Sequence, residues 1–471
     1  MTGITSRLLN FRQGELPLAL LSAMFYFCVL CGYFFLRPVR EAMGVSRGMD
    51  DLRWLFVGSS VASLLIVLAF GGIVSRLDRR RFIPIGYLFV IVCLIGFAAL
   101  LVADGMAGGG LIGTDAGTRF ALSVGYTFFI WLSVINLFVN SLFWAFMVDL
   151  FDVDQGKRMF AFIGIGGTIG AIVGSWATDT VSGMTDSVYL SPALMLTGGA
   201  IFGVAILVML SLDKMALASD SSRHSAGAAA SRSAPSDQIG GTYMDGVKAL
   251  TTSPYLLGIA AFFVFMTVAN TLIYFTQANV ILDNTDSFSQ RVGSFAQFDM
   301  LAQIATLITQ IFITTHMIRR IGVGWTLAML PLVTLTGFAV LAIWPLYGVM
   351  AVFQALHRAT RYAMTRPARE TLFSVVPTAE KYKAKPVIDV FIYRGGDVVG
   401  AGIDGVMRAL GLTLVGFAAA TVPLAAVWGG LCLALGRAQR RRDPADPNYV
   451  PLDEGGEVSP SPSLDTSSQR A

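Results

Sequence analysis

The sequence is poor in charge, cysteine and histidine. Of its 471 residues, 14% are charged and 55% are hydrophobic, and the mean hydropathy is +0.66. An ordinary soluble domain is about a quarter charged. The four cysteines lie inside apolar runs and the three histidines are never spaced like a metal site, which argues against a disulfide scaffold or a zinc site. The composition predicts a polytopic membrane protein.

Several functional classes lack their sequence signals. The chain contains no Walker motif, kinase signature, catalytic triad or cluster of metal ligands, so we expect neither an enzyme nor a bound cofactor. The net charge is +4 without a continuous basic stripe, so we expect no nucleic-acid partner. The first apolar run ends at Arg37-Pro38 instead of at small residues, and we expect no cleavable signal peptide.

Twelve apolar segments are long enough to cross the hydrocarbon core, which takes about 20 residues of helix. They cover residues 16–36, 54–75, 82–103, 120–148, 160–181, 191–211, 254–280, 293–315, 323–344, 346–366, 386–409 and 411–435. We therefore predict an all-α membrane protein with twelve transmembrane helices in two six-helix halves, arranged as in major facilitator carriers.

Two changes in composition divide the chain. The stretch between the sixth and seventh segments is rich in Ser, Ala and Gly, which is typical of a flexible linker. The end of the chain is rich first in Arg and then in Pro, Ser and Asp. We predict an N-terminal half (1–211), a cytoplasmic linker (212–252), a C-terminal half (253–436) and a disordered cytoplasmic tail (437–471).

Lys and Arg are unequally distributed between alternate loops. With a cytoplasmic N-terminus, the inner segments hold 23 of these residues and the outer segments hold 7. Cytoplasmic loops carry the excess of Lys and Arg. We therefore expect a multi-pass protein of a bacterial inner membrane with both termini in the cytoplasm, and we take it to be a monomer in the lipid bilayer.

The two halves resemble one another in sequence. Segments four and ten are each followed by a basic loop and then by a Gly-rich helix, with Gly166-Gly167 in the first half and Gly395-Gly396 in the second. Gly166 also begins a ladder with Gly170 and Gly174, which predicts close helix packing. Parallel six-helix repeats place a substrate site near the midplane between the halves.

The loop after segment two has the pattern found between the second and third helices of major facilitator carriers. Gly71-Gly72 precedes its charged residues. The predicted gating residues are Asp78, Arg79, Arg80 and Arg81.

Segment ten carries two arginines within the predicted membrane. Arg358, Arg361 and Thr365 are spaced three and four apart and share one helical face. Cations inside a membrane are costly and need an acidic partner or an anionic ligand. Pairing with acids such as Asp397 or Asp404 is one interpretation, and contact with substrate is the other.

Other polar residues also follow helical spacing inside the predicted membrane. Asn136 and Asn140 share a face of segment four, and the internal repeat places Asn136 opposite Arg358. Amides in such positions link helices or contact substrate. Segments seven and eight carry polar faces that would line a wet cavity. Their members are Asn270, Tyr274 and Gln277, and Asp299, Gln303, Thr306 and Gln310.

Segments one and eleven carry further charges. Arg394, Asp397 and Asp404 share one face of segment eleven. They would form an internally neutralised stripe, or else Asp397 or Asp404 would take up protons and couple transport to a gradient. At the outer end of segment one, Arg37 and Arg40 would either snorkel to the interface or contact substrate.

Three stretches carry a resemblance to a known family. One runs from Tyr33 to Glu41, a second combines Phe143–Phe146 with 154–166, and a third runs from Lys381 to Gly396. Together they resemble the ATP/ADP translocase family of plastids and intracellular bacteria and its bacterial major facilitator relatives. The resemblance extends over about residues 15–435.

The resemblance implies transport by alternating access, with ATP exchanged for ADP or with nucleoside phosphates as cargo. It places Arg40 where the exchangers have a first-helix lysine, and Arg394 or its neighbour near their late-helix lysine. The family's glutamate in segment four has no equivalent in 131–136, and Gln290 and Gln297 stand about where acids are expected. Arginine binds phosphate through paired hydrogen bonds, so an anionic cargo is compatible with these differences.

Three functional hypotheses follow from the sequence. The first is a nucleotide carrier in which Arg358, Arg361 and Arg394 hold phosphates while Asn136, Asn140 and Gln277 orient the rest of the substrate. The second is a proton-coupled carrier or exporter of another solute that uses Asp397 or Asp404. The third is a membrane receptor or assembly scaffold that does not transport.

Overall fold

The computed structural model describes residues 15–74, 79–110, 117–225, 243–312, 314–412 and 414–442. Within these ranges the chain is helical and has no β-strand, as predicted. The N-terminal half contains six helices, which are α1 (Leu16–Gly44), α2 (Met49–Val74), α3 (Arg79–Met106), α4 (Arg119–Leu150), α5 (Val153–Ser182) and α6 (Leu190–Ser225).

The C-terminal half is more interrupted. Its helices are α7 (Tyr243–Thr252), α8 (Pro254–Asp283), α9 (Phe288–Phe312), α10 (Thr314–Ile343), α11 (Tyr347–Ala359), α12 (Arg366–Leu372), α13 (Thr378–Pro386), α14 (Tyr393–Ala409) and α15 (Leu414–Arg442). Wide π-helical turns at Thr360–Thr365 and Val387–Ile392 join α11 to α12 and α13 to α14.

Several helix boundaries follow from local chemistry. The Thr118 hydroxyl accepts a hydrogen bond from the backbone N–H of Ala121 and begins α4, and Ser253 caps α8 in the same way just before Pro254. Within α10, Gly322 has φ = 79° and breaks the helix, because glycine enters this left-handed region without steric cost.

Each of the twelve predicted spans coincides with helix, but not all of them resemble ordinary membrane spans. Among the described residues, eight helices are long and apolar enough to cross a membrane. Spans 54–75, 293–315, 346–366 and 386–409 are not among them, and the last three carry Asp299, Arg358 and Arg361, and Arg394. The number twelve therefore remains a prediction.

Parts of the predicted linker and gating loop can be placed. Helix α6 continues to Ser225, and α7 packs against α13, so these parts of 212–252 are helical. Residues 226–242, Asp78 and the tail beyond Arg442 lie outside the described residues. The side chains of Arg79, Arg80 and Arg81 are also outside that description.

Glycine contacts confirm the predicted close packing and recur in both halves. A Cβ on Gly166 would lie 2.6 Å from the carbonyl oxygen of Ala23, and one on Gly174 would lie 2.5 Å from that of Cys31. Gly170 is closer still to Phe27. In the other half, Gly396 and Gly400 of α14 lie against Thr267 and Thr271 of α8. Small residues thus join the first and fifth spans of each repeat.

The two halves are joined near one end of the bundle. We call this the Gly44 end, where α1 ends and α9 begins. Helices α1 and α5 pack against α9, and α2 packs against α14. Among described side chains, five pairs join the halves through hydrogen bonds or ion pairs, and each lies within about three turns of a helix terminus at this end. They are Arg37–Asp299, Tyr274–Glu41, Arg53–Asp404, Gln297–Asp179 and Ser289–Asp186.

We predict that Gly170→Ala destabilises the protein, because its methyl group would overlap the backbone of α1 at Phe27. Overpacking of this kind costs roughly 1–3 kcal/mol. The thermal denaturation midpoint in detergent should fall. Gly164→Ala is the matched control on the same helix, where a Cβ has no heavy-atom neighbour within 4 Å. Equal midpoints for the two variants would contradict this packing.

Candidate functional site

One buried carboxylate is shared by arginines from both halves. Asp299 of α9 pairs with Arg37 of α1 at 2.5 Å and with Arg358 of α11. The side chains of Asp299 and Arg358 are 3% and 8% exposed. Arg358 is therefore paired with an acid, but with Asp299 and not with Asp397 or Asp404.

A second carboxylate lies one helical turn from Arg37. Glu41 is 3.6 Å from Arg37 and 3.3 Å from Arg40, and it accepts a 2.5 Å hydrogen bond from the Tyr274 hydroxyl of the other half. The guanidinium of Arg40 lies over the Phe129 ring of α4, 4.3 Å from its centroid. Arg40 therefore packs inside its own half, whereas Arg37 faces the partner half.

Arg361 is held without an ion pair. It donates to the side-chain oxygen of Asn270 and to the hydroxyl of Tyr393. No described carboxylate approaches it within 4.0 Å, and the residue is 8% exposed. Its guanidinium also lies over the rings of Tyr362 and Tyr393. Buried cations are normally paired, so Arg361 retains unused capacity for an anion.

The π turn gives Arg361 and Tyr362 their positions. Pro367 has no N–H to donate to Ala363, and its ring crowds that carbonyl, which favours a wide turn over regular α-helix. Such turns are frequent at functional sites. Tyr362 is 40% exposed, whereas the neighbouring Arg358 and Arg361 are buried. The turn therefore leaves an accessible aromatic side chain next to a buried guanidinium.

The remaining predicted site residues separate into groups. Gln277 is bonded to Gln354 inside the C-terminal half at 2.6 Å. Arg394 pairs with Asp397 at 3.2 Å, and Asp404 binds Arg408 as well as Arg53. Gln303 lies partly exposed one turn from Asp299. Helix α14 thus contains neutralised pairs, as one interpretation of the sequence proposed.

Asn136 and Asn140 form a separate polar surface in the N-terminal half. The amide of Asn140 donates to the side-chain and backbone oxygens of Asn136, both at 2.9 Å. The Tyr26 hydroxyl donates to Asn140 at 3.4 Å. Tyr26 also lies on the face of α1 that carries Arg37, about three turns from it.

The charges around the interface do not cancel. Five guanidiniums, those of Arg37, Arg40, Arg358, Arg361 and Arg394, face three carboxylates, those of Glu41, Asp299 and Asp397. The cluster carries two positive charges in excess. Such an excess in a low-dielectric region favours an anionic ligand.

Comparison with known proteins identifies relatives of this chain. The model of the TLC ATP/ADP transporter family matches residues 119–348. The resemblance to the ATP/ADP translocase family is confirmed. ADP,ATP carrier protein 1 of Chlamydia trachomatis is 22% identical over 472 residues, which cover 88% of this chain and 87% of the relative.

Solved structures share the fold. The transporter PepTSo of the POT family superposes with a TM-score of 0.60 at 12% identity, covering 91% of this chain and 99% of that one. A variant of the nucleoside transporter NupG gives a TM-score of 0.56 at 15% identity, covering 90% and 99%. The chain therefore has the fold of a multi-pass membrane transporter.

Sequence reasoning found the arginines but missed some of their partners. Asp299 was placed on a polar face without its role, and Glu41, Tyr362 and Tyr393 were not singled out as site residues. The sequence signal for Asp299 is that it is the one charged residue on a helical face whose other polar members, Gln303, Thr306 and Gln310, are uncharged. Its two arginines lie 262 and 59 residues away in sequence, which no helical periodicity can connect.

We predict that Asp299→Asn destabilises the folded protein, because it leaves Arg37 and Arg358 adjacent without their carboxylate. Removing one partner of a buried ion pair costs roughly 3–5 kcal/mol. Adding Arg37→Gln to that variant should recover part of the loss, as measured by thermal denaturation across the double-mutant cycle.

The control is Asp50→Asn. Asp50 also pairs with an arginine, but its side chain is 89% exposed, so its loss should cost less than about 1 kcal/mol. Additive effects of Asp299→Asn and Arg37→Gln would show that the two side chains do not interact.

Proposed function

We propose that this protein is a secondary-active transporter of nucleotides that works by alternating access. The observation that carries the proposal is Arg361, a buried cation with no carboxylate within 4.0 Å among the described residues, in a cluster with two positive charges in excess. A nucleotide supplies several negative phosphate oxygens in a chain, and guanidinium groups bind them through paired hydrogen bonds.

The ligands for the phosphates would come from both halves. Among the described residues no acid pairs with Arg361, and Arg37 and Arg358 share the carboxylate of Asp299. An incoming phosphate would compete with Asp299 for these two guanidiniums. Binding would therefore weaken the contact between α1 and α9. The substrate would then favour the conformation in which this contact is open, as a ligand must bind one conformation better than the other to shift their populations.

The positions of the inter-half contacts support an alternating-access cycle. All five lie at the Gly44 end, which the distribution of Lys and Arg assigns to the outside. Toward the other end, Tyr362 and Arg366 are exposed on the face that begins with Arg358. We infer a site closed to the outside and accessible from the cytoplasm, with both termini cytoplasmic, in a bacterial inner membrane.

The relatives favour exchange as the mode of transport, since the matched proteins are named ADP,ATP carriers. Exchange needs no bound cofactor and no catalytic group, and none is proposed here. The protein would act on its cargo without changing it.

A second candidate function is a proton-coupled carrier of another solute. One observation favours it: Asp404, fully buried in α14, bonds Arg53 of the other half. Protonating this carboxylate would weaken a contact that closes the Gly44 end. Asp397 is the other buried carboxylate on the same helix.

Counterflow in proteoliposomes tests the two functions against each other. With exchange, labelled ATP should enter vesicles preloaded with ADP or ATP and should not accumulate in empty ones, with no dependence on a pH step. Uptake that follows the pH step and ignores preloading would favour proton coupling and overturn the exchange proposal.

We predict that Arg361→Gln reduces nucleotide counterflow by at least tenfold, about 1.4 kcal/mol, while the protein stays folded. The substitution leaves no carboxylate unpaired, because Arg361 has no acidic partner within 4.0 Å among the described residues. Arg361→Lys keeps the charge but loses the forked donors and should recover only part of the activity.

The matched control is Arg119→Gln, an exposed arginine at the start of α4, which should transport normally. Wild-type counterflow in a folded Arg361→Gln protein would remove this residue from the site.

A further inference from the structure

The polar surface of Asn136, Asn140 and Tyr26 lies in the half opposite the arginines of α11. We refer to it as the amide surface. Arg37 and Arg358 bind the same carboxylate, so α1 and α11 meet at that level. Tyr26 lies on the face of α1 that carries Arg37, about three turns further from the Gly44 end. Because Tyr26 bonds Asn140, the amide surface lies at the level of Tyr26, with Asn136 one turn nearer the Gly44 end.

The hydrogen bonds within the amide surface fix its orientation. Both N–H groups of Asn140 are used by the oxygens of Asn136, and the oxygen of Asn140 accepts from Tyr26. The Tyr26 ring is stacked on Phe143 with centroids 4.1 Å apart and planes inclined by 14°. The ring and both amides are therefore held in place by their own half.

Asn136 is left with two unused donors. A side-chain amide has two N–H donors and one oxygen acceptor. Its oxygen is occupied by Asn140, and within the described part of the chain its nitrogen has no hydrogen-bond partner. The residue is partly exposed. An oriented, partly exposed amide with free donors is suited to bind an acceptor on a ligand.

The two halves therefore offer different chemistry. On the C-terminal half, α11 carries cations, while the amide surface on α4 of the N-terminal half carries neutral donors. A ligand that fits both has an anionic end and an uncharged end with hydrogen-bond acceptors. The phosphates and the base of a nucleotide meet this description, because every nucleobase edge presents ring nitrogens or carbonyl oxygens.

We propose that Asn136 is a specificity-determining residue that donates hydrogen bonds to the nucleobase, with Asn140 and Tyr26 as positioning residues behind it. The inference rests on the proposed function, because it assigns the uncharged part of the same cargo. It divides the site between the halves, so that one half binds the phosphates and the other binds the base.

The test compares three competitors of labelled ATP counterflow in proteoliposomes containing the full chain. Unlabelled ATP carries base, ribose and phosphates. Phosphoribosyl pyrophosphate carries ribose and phosphates without a base, and inorganic tripolyphosphate carries phosphates alone. Asn136→Ala should weaken inhibition by ATP about tenfold, while inhibition by the other two changes less than about twofold.

Two further variants separate recognition from folding. Asn136→Ala leaves Asn140 its bond to the backbone oxygen of residue 136, so the protein should retain its thermal midpoint. Tyr26→Phe keeps the stacked ring but removes the hydroxyl, and it should weaken ATP inhibition less than Asn136→Ala does. Asn284→Ala, an exposed position at the end of α8, is the matched control and should behave like wild type.

The outcomes are distinct. Equal weakening of all three competitors, or no weakening of ATP, would overturn the assignment of Asn136 to the base. Weakening of ATP and phosphoribosyl pyrophosphate together would overturn it in favour of the ribose. If ATP does not inhibit the wild-type protein at all, the proposed function itself fails, and the inference fails with it.

Discussion

Asp299 is the acid on which the contact between the two halves depends. A single carboxylate, 3% exposed, binds Arg37 from one half and Arg358 from the other. Removing charges from water is costly, and only a well-placed counter-charge repays it. The two arginines need a counter-charge inside a membrane. Asp299 supplies it and, by binding an arginine from each half, also joins the halves. This pairing can therefore stabilise one conformation, and an anion that replaces Asp299 on the arginines would weaken the contact between the halves.

The glycine contacts make each half a close-packed unit that can move as a whole relative to the other half. Within the N-terminal half, glycines of α5 lie against the backbone of α1, and within the C-terminal half glycines of α14 lie against the side chains of Thr267 and Thr271 of α8. Each half is therefore close-packed at its centre. The polar pairs between the halves are gathered at one end, where Phe56 of α2 also packs against Tyr274 and Phe275 of α8. Two close-packed units joined at one end are the arrangement expected for rocking about a central site.

The sequence predicted the architecture better than the site. Apolar length predicted a helical membrane protein, and eight helices of the described residues are long and apolar enough to cross a membrane. The glycine pairs Gly166-Gly167 and Gly395-Gly396 both lie in helices that pack closely against a neighbour. Helical spacing placed Arg358 and Arg361 on one face, but the π turn and the pairing with Asp299 depend on tertiary contacts. Gln277 shows the limit most clearly, since its spacing suggested a cavity residue and the structure bonds it to Gln354 within one half. Helical periodicity predicts which residues share a face of a helix, but not which other helix that face contacts.

The excess of two positive charges has a consequence for energetics across the membrane. Moving one elementary charge through the full membrane potential changes its energy by about 2.3 kcal/mol per 100 mV. In the proposed cycle an unloaded site would reorient with its guanidiniums uncompensated in a low-dielectric interior, whereas a loaded site would reorient nearly neutral. The empty carrier would thus reorient slowly. Because only the loaded carrier would reorient quickly, electrostatics alone would couple the entry of one substrate to the exit of another.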